Sequence, residues 1–407
     1  MYYKRTPRGL RLHIAILGRR NVGKSSLLNV LVQQSVSIVS ALAGTTTDPV
    51  EKRIELAPIG PVLFIDTAGL DDEGFLGNLR KEKTYRAIRR ADIIILVVEA
   101  NIWTEYEENI LRIAKQYNTP VVVALNKIDL FVPGEELKLR LKKENIPFVE
   151  TCALERGWYQ TAKIKAEIIK LLPSWWLKPS SLISEIVSKN DIVVLVAAGD
   201  IQMPKGRIKL PQEQVLREIL DIGAIALVVE ENQLKNAIFN LKRKPKIVIC
   251  ESHILDKVLK VIPPGVDCTT FSILFSKYKG ELEILYEGIK AIDNLKPYDK
   301  VLIAESCTHH PIGDDIGRKK IPYWISQKLK SKIFFDIYAG RDFPLDLKKY
   351  KLIIHCGGCM LNRKEFLSRI YYAKKEGIPI TSYGMVCAYI LGNLEKVLAP
   401  LFGKELV

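Results

Sequence analysis

The stretch Gly18-Arg19-Arg20-Asn21-Val22-Gly23-Lys24-Ser25 lies between the apolar run 14–17 and the helix-like run 27–32. A strand, a glycine-rich turn and a helix with this spacing aim successive backbone N–H groups, and the positive end of the helix dipole, at one point, which suits a polyphosphate. Lys24 would reach the β- and γ-phosphates and the Ser25 hydroxyl would ligate Mg2+. Arg20, Asn21, Val22, Gly23 and Ser26 complete the expected cradle. An ordinary tight glycine turn would leave Lys24, at a position prone to burial, without a purpose.

Further polar groups follow other apolar runs. The connection 34–49 carries Gly44-Thr45-Thr46-Thr47-Asp48, and the run 62–65 ends in Asp66-Thr67-Ala68-Gly69. A carboxylate at a strand's C-terminal end can hold Mg2+ through water, as expected of Asp66, and Gly69 can offer its N–H to a γ-phosphate with no side chain in the way. The run 121–125 delivers Asn126-Lys127-Ile128-Asp129, in which Asp129 would accept both N–H groups on the Watson–Crick edge of guanine and reject adenine. After the run 148–151, the backbone at Cys152-Ala153 could donate to the guanine carbonyl. These motifs, in this order, resemble the translation-factor-like small GTPases over residues 11–172. The resemblance implies GTP/GDP and Mg2+ as cofactors, with Lys24, Thr46, Asp66 and Gly69 in catalysis and Thr46 on the metal. Leu70 stands where Ras-like enzymes carry the glutamine that orients attacking water, so turnover by that route is excluded. Asn21 and the switch threonines look like the subgroup that coordinates K+ between the phosphates and pairs its G domains across the nucleotide. Asn also suits a turn for backbone reasons alone.

A second concentration of chemistry lies near the other end. The run 301–304 leads into Glu305-Ser306-Cys307-Thr308-His309-His310, and 352–354 leads into His355-Cys356-Gly357-Gly358-Cys359. Three of the chain's five histidines fall in these two segments. Both follow strands at the ends where an open α/β sheet keeps its ligand crevice. The paired glycines allow both thiols to face one point. On the ligand set alone, tetrahedral zinc and an iron–sulfur cluster both fit, and a thioredoxin-like redox pair at Cys356 and Cys359 is a third reading.

The elements that must position these groups alternate strand and helix throughout, so an α/β class is expected: a P-loop GTPase domain at 1–173, then two smaller α/β domains with mainly parallel sheets at 174–270 and 271–407. The proline-rich 171–181 reads as a linker, and the middle segment, which opens no helix with a glycine-rich phosphate loop, reads as a scaffold and dimerisation domain, with a connection at 197–211 that could be functional. Cys250 and Cys268 read as buried small residues. In 407 residues no apolar run approaches the ~18 needed to span a bilayer, and no signal segment is evident, so a cytoplasmic protein without membrane partners is expected. The net charge of +15 is spread through both halves, and its longest clusters, Lys242-Arg243-Lys244 and Arg318-Lys319-Lys320, are short and lack interleaved aromatics. That favours a solvated basic surface over a nucleic-acid face, and no GxxG loop of the KH kind follows residue 172.

The order of parts, together with the Cys307/His309 pair and the His355, Cys356, Cys359 group, resembles the HydF family of FeFe-hydrogenase maturation GTPases over essentially the whole chain. The resemblance implies a 4Fe–4S cluster on Cys307, Cys356 and Cys359, with His309, His355, Asp314 or an outside group as fourth ligand. It implies a scaffold that takes a diiron unit made by the radical-SAM maturases HydE and HydG and passes it to apo FeFe-hydrogenase. The alternative is a K+-dependent GTPase acting in RNA modification or ribosome assembly, with a structural zinc site.

Overall fold

The computed structural model describes residues 6–33, 38–42, 50–66, 77–152, 158–177, 181–197, 209–306, 315–340 and 342–402. The chain divides into two compact units, Met1–Pro179 and Ser180–Val407.

The first unit is built on a seven-stranded sheet: β1 (Leu12–Leu17), β2 (Ile38–Leu42), β3 (Val50–Leu56), β4 (Gly60–Asp66), β5 (Ile93–Glu99), β6 (Val121–Asn126) and β7 (Phe148–Glu150), in the order β2-β3-β4-β1-β5-β6-β7. Largely apolar runs such as LHIAIL and VVVALN, interrupted only by the buried His13 and ended by the buried Asn126, are what a strand buried on both faces requires. Their side chains divide with period two. Leu12, Ile14 and Ile16 of β1 join Ile93, Ile95 and Val97 of β5 in one core, while Ala15, Leu17, Ile94, Leu96 and Val98 enter another on the opposite face. Each fully buried Ile, Leu or Val contributes about 1.5–3 kcal/mol, so a one-residue slip of register is strongly disfavoured. Because β1 pairs in parallel with β4 on one side and β5 on the other, the chain reverses direction across the sheet at β1. The crevice beyond β1 is therefore where a ligand belongs. The stretch 34–49, expected to be a polar connection, contains β2, which pairs antiparallel with β3. Its β-branched Ile38-Val39 pair suits a strand, and its ladder partner β3 is the next strand along the chain.

The second unit holds two parallel four-stranded sheets. One has β8 (Ile192–Ala197), β9 (Ile225–Glu230), β10 (Ile247–Cys250) and β11 (Asp267–Thr270), in the order β11-β10-β8-β9. The other has β12 (Lys300–Glu305), β13 (Phe334–Ala339), β14 (Leu352–His355) and β15 (Ile380–Ser382), in the order β13-β12-β14-β15. One apolar core runs from Val194 and Val248 of the first sheet to Ile303 and Ile353 of the second. The helix Phe271–Lys279, capped by the Thr270 side chain, leaves β11 and packs against the helices Leu210–Ile222 and Arg363–Lys375. Cys250 and Cys268 are both buried on adjacent strands. Among the described residues no helix is long and apolar enough to cross a membrane.

Candidate functional site

At the end of β1 the backbone turns through Gly18, whose φ is +150° and where an added Cβ would lie 2.2 Å from the carbonyl oxygen of Val97 on β5. The first glycine is thus required by the neighbouring strand. Asn21 and Gly23 also have positive φ, +62° and +96°. For Asn21 this is a backbone reason for the residue type, since Asn tolerates the left-handed region better than most side chains. The helix Lys24–Gln33 then begins. Lys24 is buried, and its Nζ donates to the carbonyls of Gly18 and Arg19 at 2.6 Å each. Ser25 Oγ lies 3.3 Å from Asp66 Oδ2, so the two expected Mg2+ groups meet across β1 and β4.

Asn126, at the end of β6, is buried, and its Nδ2 donates to the carbonyl of Val22 at 2.7 Å. Its Oδ1 accepts from Thr151 Oγ1 at 3.2 Å. One amide therefore joins the phosphate loop, the base loop and the last strand of the sheet. Lys127 adopts φ +63°, pairs with Glu99 at 2.8 Å, and its carbonyl accepts from Leu130 N and Phe131 N. The turn so formed leaves Asp129 exposed, and Cys152 is buried. Thr46, Gly69, Leu70 and Ala153 lie outside the described residues.

In the second unit, β12 and β14 are neighbours, and Cys356 N donates to Ala304 O at 2.9 Å just beyond the ladder. This register sets Ser306 N 3.0 Å from Cys356 Sγ, with the N–H donated to the sulfur. Cys356 is buried, whereas Cys359 is partly open. Gly358 has φ +62°, and a Cβ there would meet the Phe366 ring at 2.6 Å. The His355 ring is buried against the edge of Phe366 with centroids 4.8 Å apart. Its Nδ1 donates to the Cys356 carbonyl at 2.7 Å, and its Nε2 accepts from Arg369 at 3.2 Å. These two bonds fix the orientation of the His355 ring beside the cysteine loop. Cys307, His309, His310 and Asp314 lie outside the described residues, among which no three His, Cys, Asp or Glu side chains gather to hold a metal ion.

Two family models, described as the hydrogen maturase F dimerization domain and tetramerization domain, match residues 182–280 and 283–400. Together they take up more than half of the chain. The chain belongs to the HydF family. Ahead of these domains, residues 13–127 match a model described as a 50S ribosome-binding GTPase, so this HydF-family chain carries a GTPase domain, which implies GTP/GDP and Mg2+. GTPase Der of Wolinella succinogenes is 33% identical over 187 residues, covering 43% of this chain and 39% of that protein. The tRNA modification GTPase MnmE of Prochlorococcus marinus is 41% identical over 140 residues, covering 33% of this chain and 30% of that protein. The chain thus spans 39% or less of the length of these curated relatives. Era of Aquifex aeolicus is 24% identical, covers 54% of this chain and 92% of its own, and superposes with a TM-score of 0.33, too low to carry an argument.

The HydF sequence conceals two groups that the fold brings to these sites. Arg19, inside the phosphate loop, pairs with the buried Glu107 at 2.8 Å, and the same carboxylate caps the helix Glu105–Gln116 through Thr104. The Thr104-x-x-Glu107 spacing signals the cap, but nothing signals Arg19 as its partner. Lys279 is 1% exposed, and its Nζ donates to the carbonyls of Gly358, Cys359 and Leu361 at 2.9, 3.2 and 2.6 Å. Burial pushes its ammonium down to about 8, against the opposing pull of charge on Cys359, Cys356 and Glu365. Beside Cys359 a cavity of about 170 Å3 opens, lined by Phe271 and Phe275 and on its far wall by Lys209, Gln212 and Glu251. Glu251 accepts there from Lys209 at 3.0 Å and Gln212 at 2.9 Å.

Proposed function

We propose that this chain is a GTP-hydrolysing scaffold and carrier for the diiron subcluster of FeFe-hydrogenase, with a 4Fe–4S cluster of its own held by Cys307, Cys356 and Cys359. The observation that carries this reading is the cysteine loop at the end of β14, set within domains of hydrogenase-maturase type, with an N–H already donated to Cys356 Sγ. When bound, the cluster would supply an iron with an exchangeable position at which the incoming diiron cargo could bridge. The cavity beside Cys359 gives such a cargo a way in. His309, His355, Asp314 or an outside group would take that position.

In the GTPase domain, Lys24 and the backbone from Arg20 to Ser26 bind the phosphates. Ser25 and Thr46 ligate Mg2+, Asp66 holds it through water, and Gly69 contacts the γ-phosphate. Asn126 keeps the phosphate loop against the base loop, where Lys127, Asp129, Cys152 and Ala153 take the guanine. Asn21 takes K+, which supplies positive charge between the phosphates, while Leu70 lacks the amide that orients attacking water in Ras-like enzymes. GTP turnover in Na+ as fast as in K+ would remove this last role. The domains are 1–173, 174–270 and 271–407, the partners are HydE, HydG and apo-hydrogenase, and the compartment is the cytoplasm. The edge strands β9 and β13 keep Ile225, Val228, Phe334 and Ile337 exposed, and these fit a homo-oligomer through domains of dimerisation and tetramerisation type.

Anaerobic purification with iron, sulfide and zinc analysis and EPR of the reduced protein tests the whole reading. Iron and sulfide in equal amounts with a cluster signal are expected. One zinc per chain without iron would instead favour a GTPase with a structural metal, as would be consistent with the RNA-linked relatives.

A further inference from the structure

Lys279 is a buried cation at the C-terminal end of the helix Phe271–Lys279. Its three N–H bonds all go to backbone carbonyls of the cysteine loop. Among the described residues no carboxylate lies in ion-pair contact with it, and the nearby Glu365 is paired with Arg369 at 3.4 Å. A buried ammonium costs several kcal/mol unless a counter-charge repays it. The side chain is nonetheless seated firmly. Gly280, next along the chain, lies so close to the Phe366 ring that a Cβ would approach it to 2.7 Å, and Arg363 donates to the carbonyl of Tyr278. Phe366 closes on Gly280 from one side and on Gly358 from the other, so the helix end and the loop share one packed contact.

We propose that Lys279 is the counter-charge of the cysteine loop: a positioning residue that holds Gly358, Cys359 and Leu361 by their carbonyls and whose positive charge stabilises the electron-rich cluster on the thiolates. This rests on the cluster reading above. Lys279 ends the segment matched as a dimerization domain, 182–280, while the thiols belong to the segment matched as a tetramerization domain, 283–400. One domain thereby supplies a charge beside the other's ligands. On reduction the cluster gains one electron from the external titrant, and a nearby cation stabilises that state. Removing the cation therefore lowers the midpoint potential.

The test uses the full chain, reconstituted anaerobically, as Lys279→Met, Lys279→Gln and Lys279→Arg, with iron and sulfide content and EPR-monitored redox titration. In the neutral variants the reduced-to-oxidised ratio at a fixed potential should fall at least about tenfold, which is about 59 mV for one electron. The Arg variant, which keeps the charge, should stay near wild type. If the neutral variants lose the cluster and Arg retains it, charge is again what the site requires. Neutral variants that hold a full cluster at the wild-type potential overturn the inference, as does an Arg variant that loses the cluster just as they do. A wild-type chain that takes up no iron and sulfide defeats the cluster reading instead, so the two failures are separable.

Discussion

Lys24→Ala is expected to lower GTP turnover at least about a hundredfold, the scale of losing one preorganised charge donor at a group-transfer site. The side chain is buried within the loop it serves, 2.6 Å from the carbonyls of Gly18 and Arg19. An ammonium held there has little conformational freedom to lose when phosphates arrive, which is the condition for electrostatic stabilisation without reorganisation. Alanine removes that charge and leaves the loop's own geometry in place, because Gly18 is fixed by Val97 and Val22 by the amide of Asn126. Phosphate release measured beside nucleotide affinity separates the two effects. Turnover within threefold of wild type would sink the role given to Lys24. The same variant should keep its iron and its EPR signal, since Lys24 and the cysteines fall in separate compact units. A variant unable to hold the cluster would show that the units do not fold independently.

The sequence exposes whatever is written locally, and hides what depends on a partner far along the chain. The runs of β1, β5 and β6 are apolar apart from His13, Glu99 and Asn126, as burial on two faces favours, and the polar residues Asp66, ending β4, and Asn126, ending β6, fall where the motifs place them. The strand β2 is not legible for a different reason, since its partner β3 is the next strand: Ile38–Leu42 is short and mixes Ser and Ala into an edge position. Asn126 is legible as part of a base-binding motif, yet its tie to Val22 joins residues over a hundred positions apart. Lys279 reads as an ordinary cation at a helix C-terminus, where the dipole favours one. Only the approach of the β14 loop turns it into a buried group. For His355, adjacency to Cys356 is legible, but the hydrogen bonds that orient its ring, to the Cys356 carbonyl and from Arg369, are not.

Cys356→Ala should abolish the cluster signal and most of the bound iron, a drop from about four irons per chain toward none. A methyl group cannot replace a thiolate ligand, and Cys356 is the buried thiol whose Sγ already accepts the Ser306 N–H at 3.0 Å. Alanine also strands that N–H, at about 1–3 kcal/mol, so loss of metal must be distinguished from loss of fold. Cys356→Ser retains an acceptor for Ser306 and should melt near wild type while still losing cluster. Cys387→Ala provides the complementary control. Burial in the helix Tyr383–Ile390 pushes that thiol up to about 12, which makes it a packing residue at neutral pH, and its replacement should leave the iron content unchanged. A Cys356→Ala protein with wild-type iron and EPR would remove β14 from the cluster site altogether. GTP turnover in each of these variants should remain at the wild-type rate, because the groups assigned to phosphate and base binding all lie before Pro179.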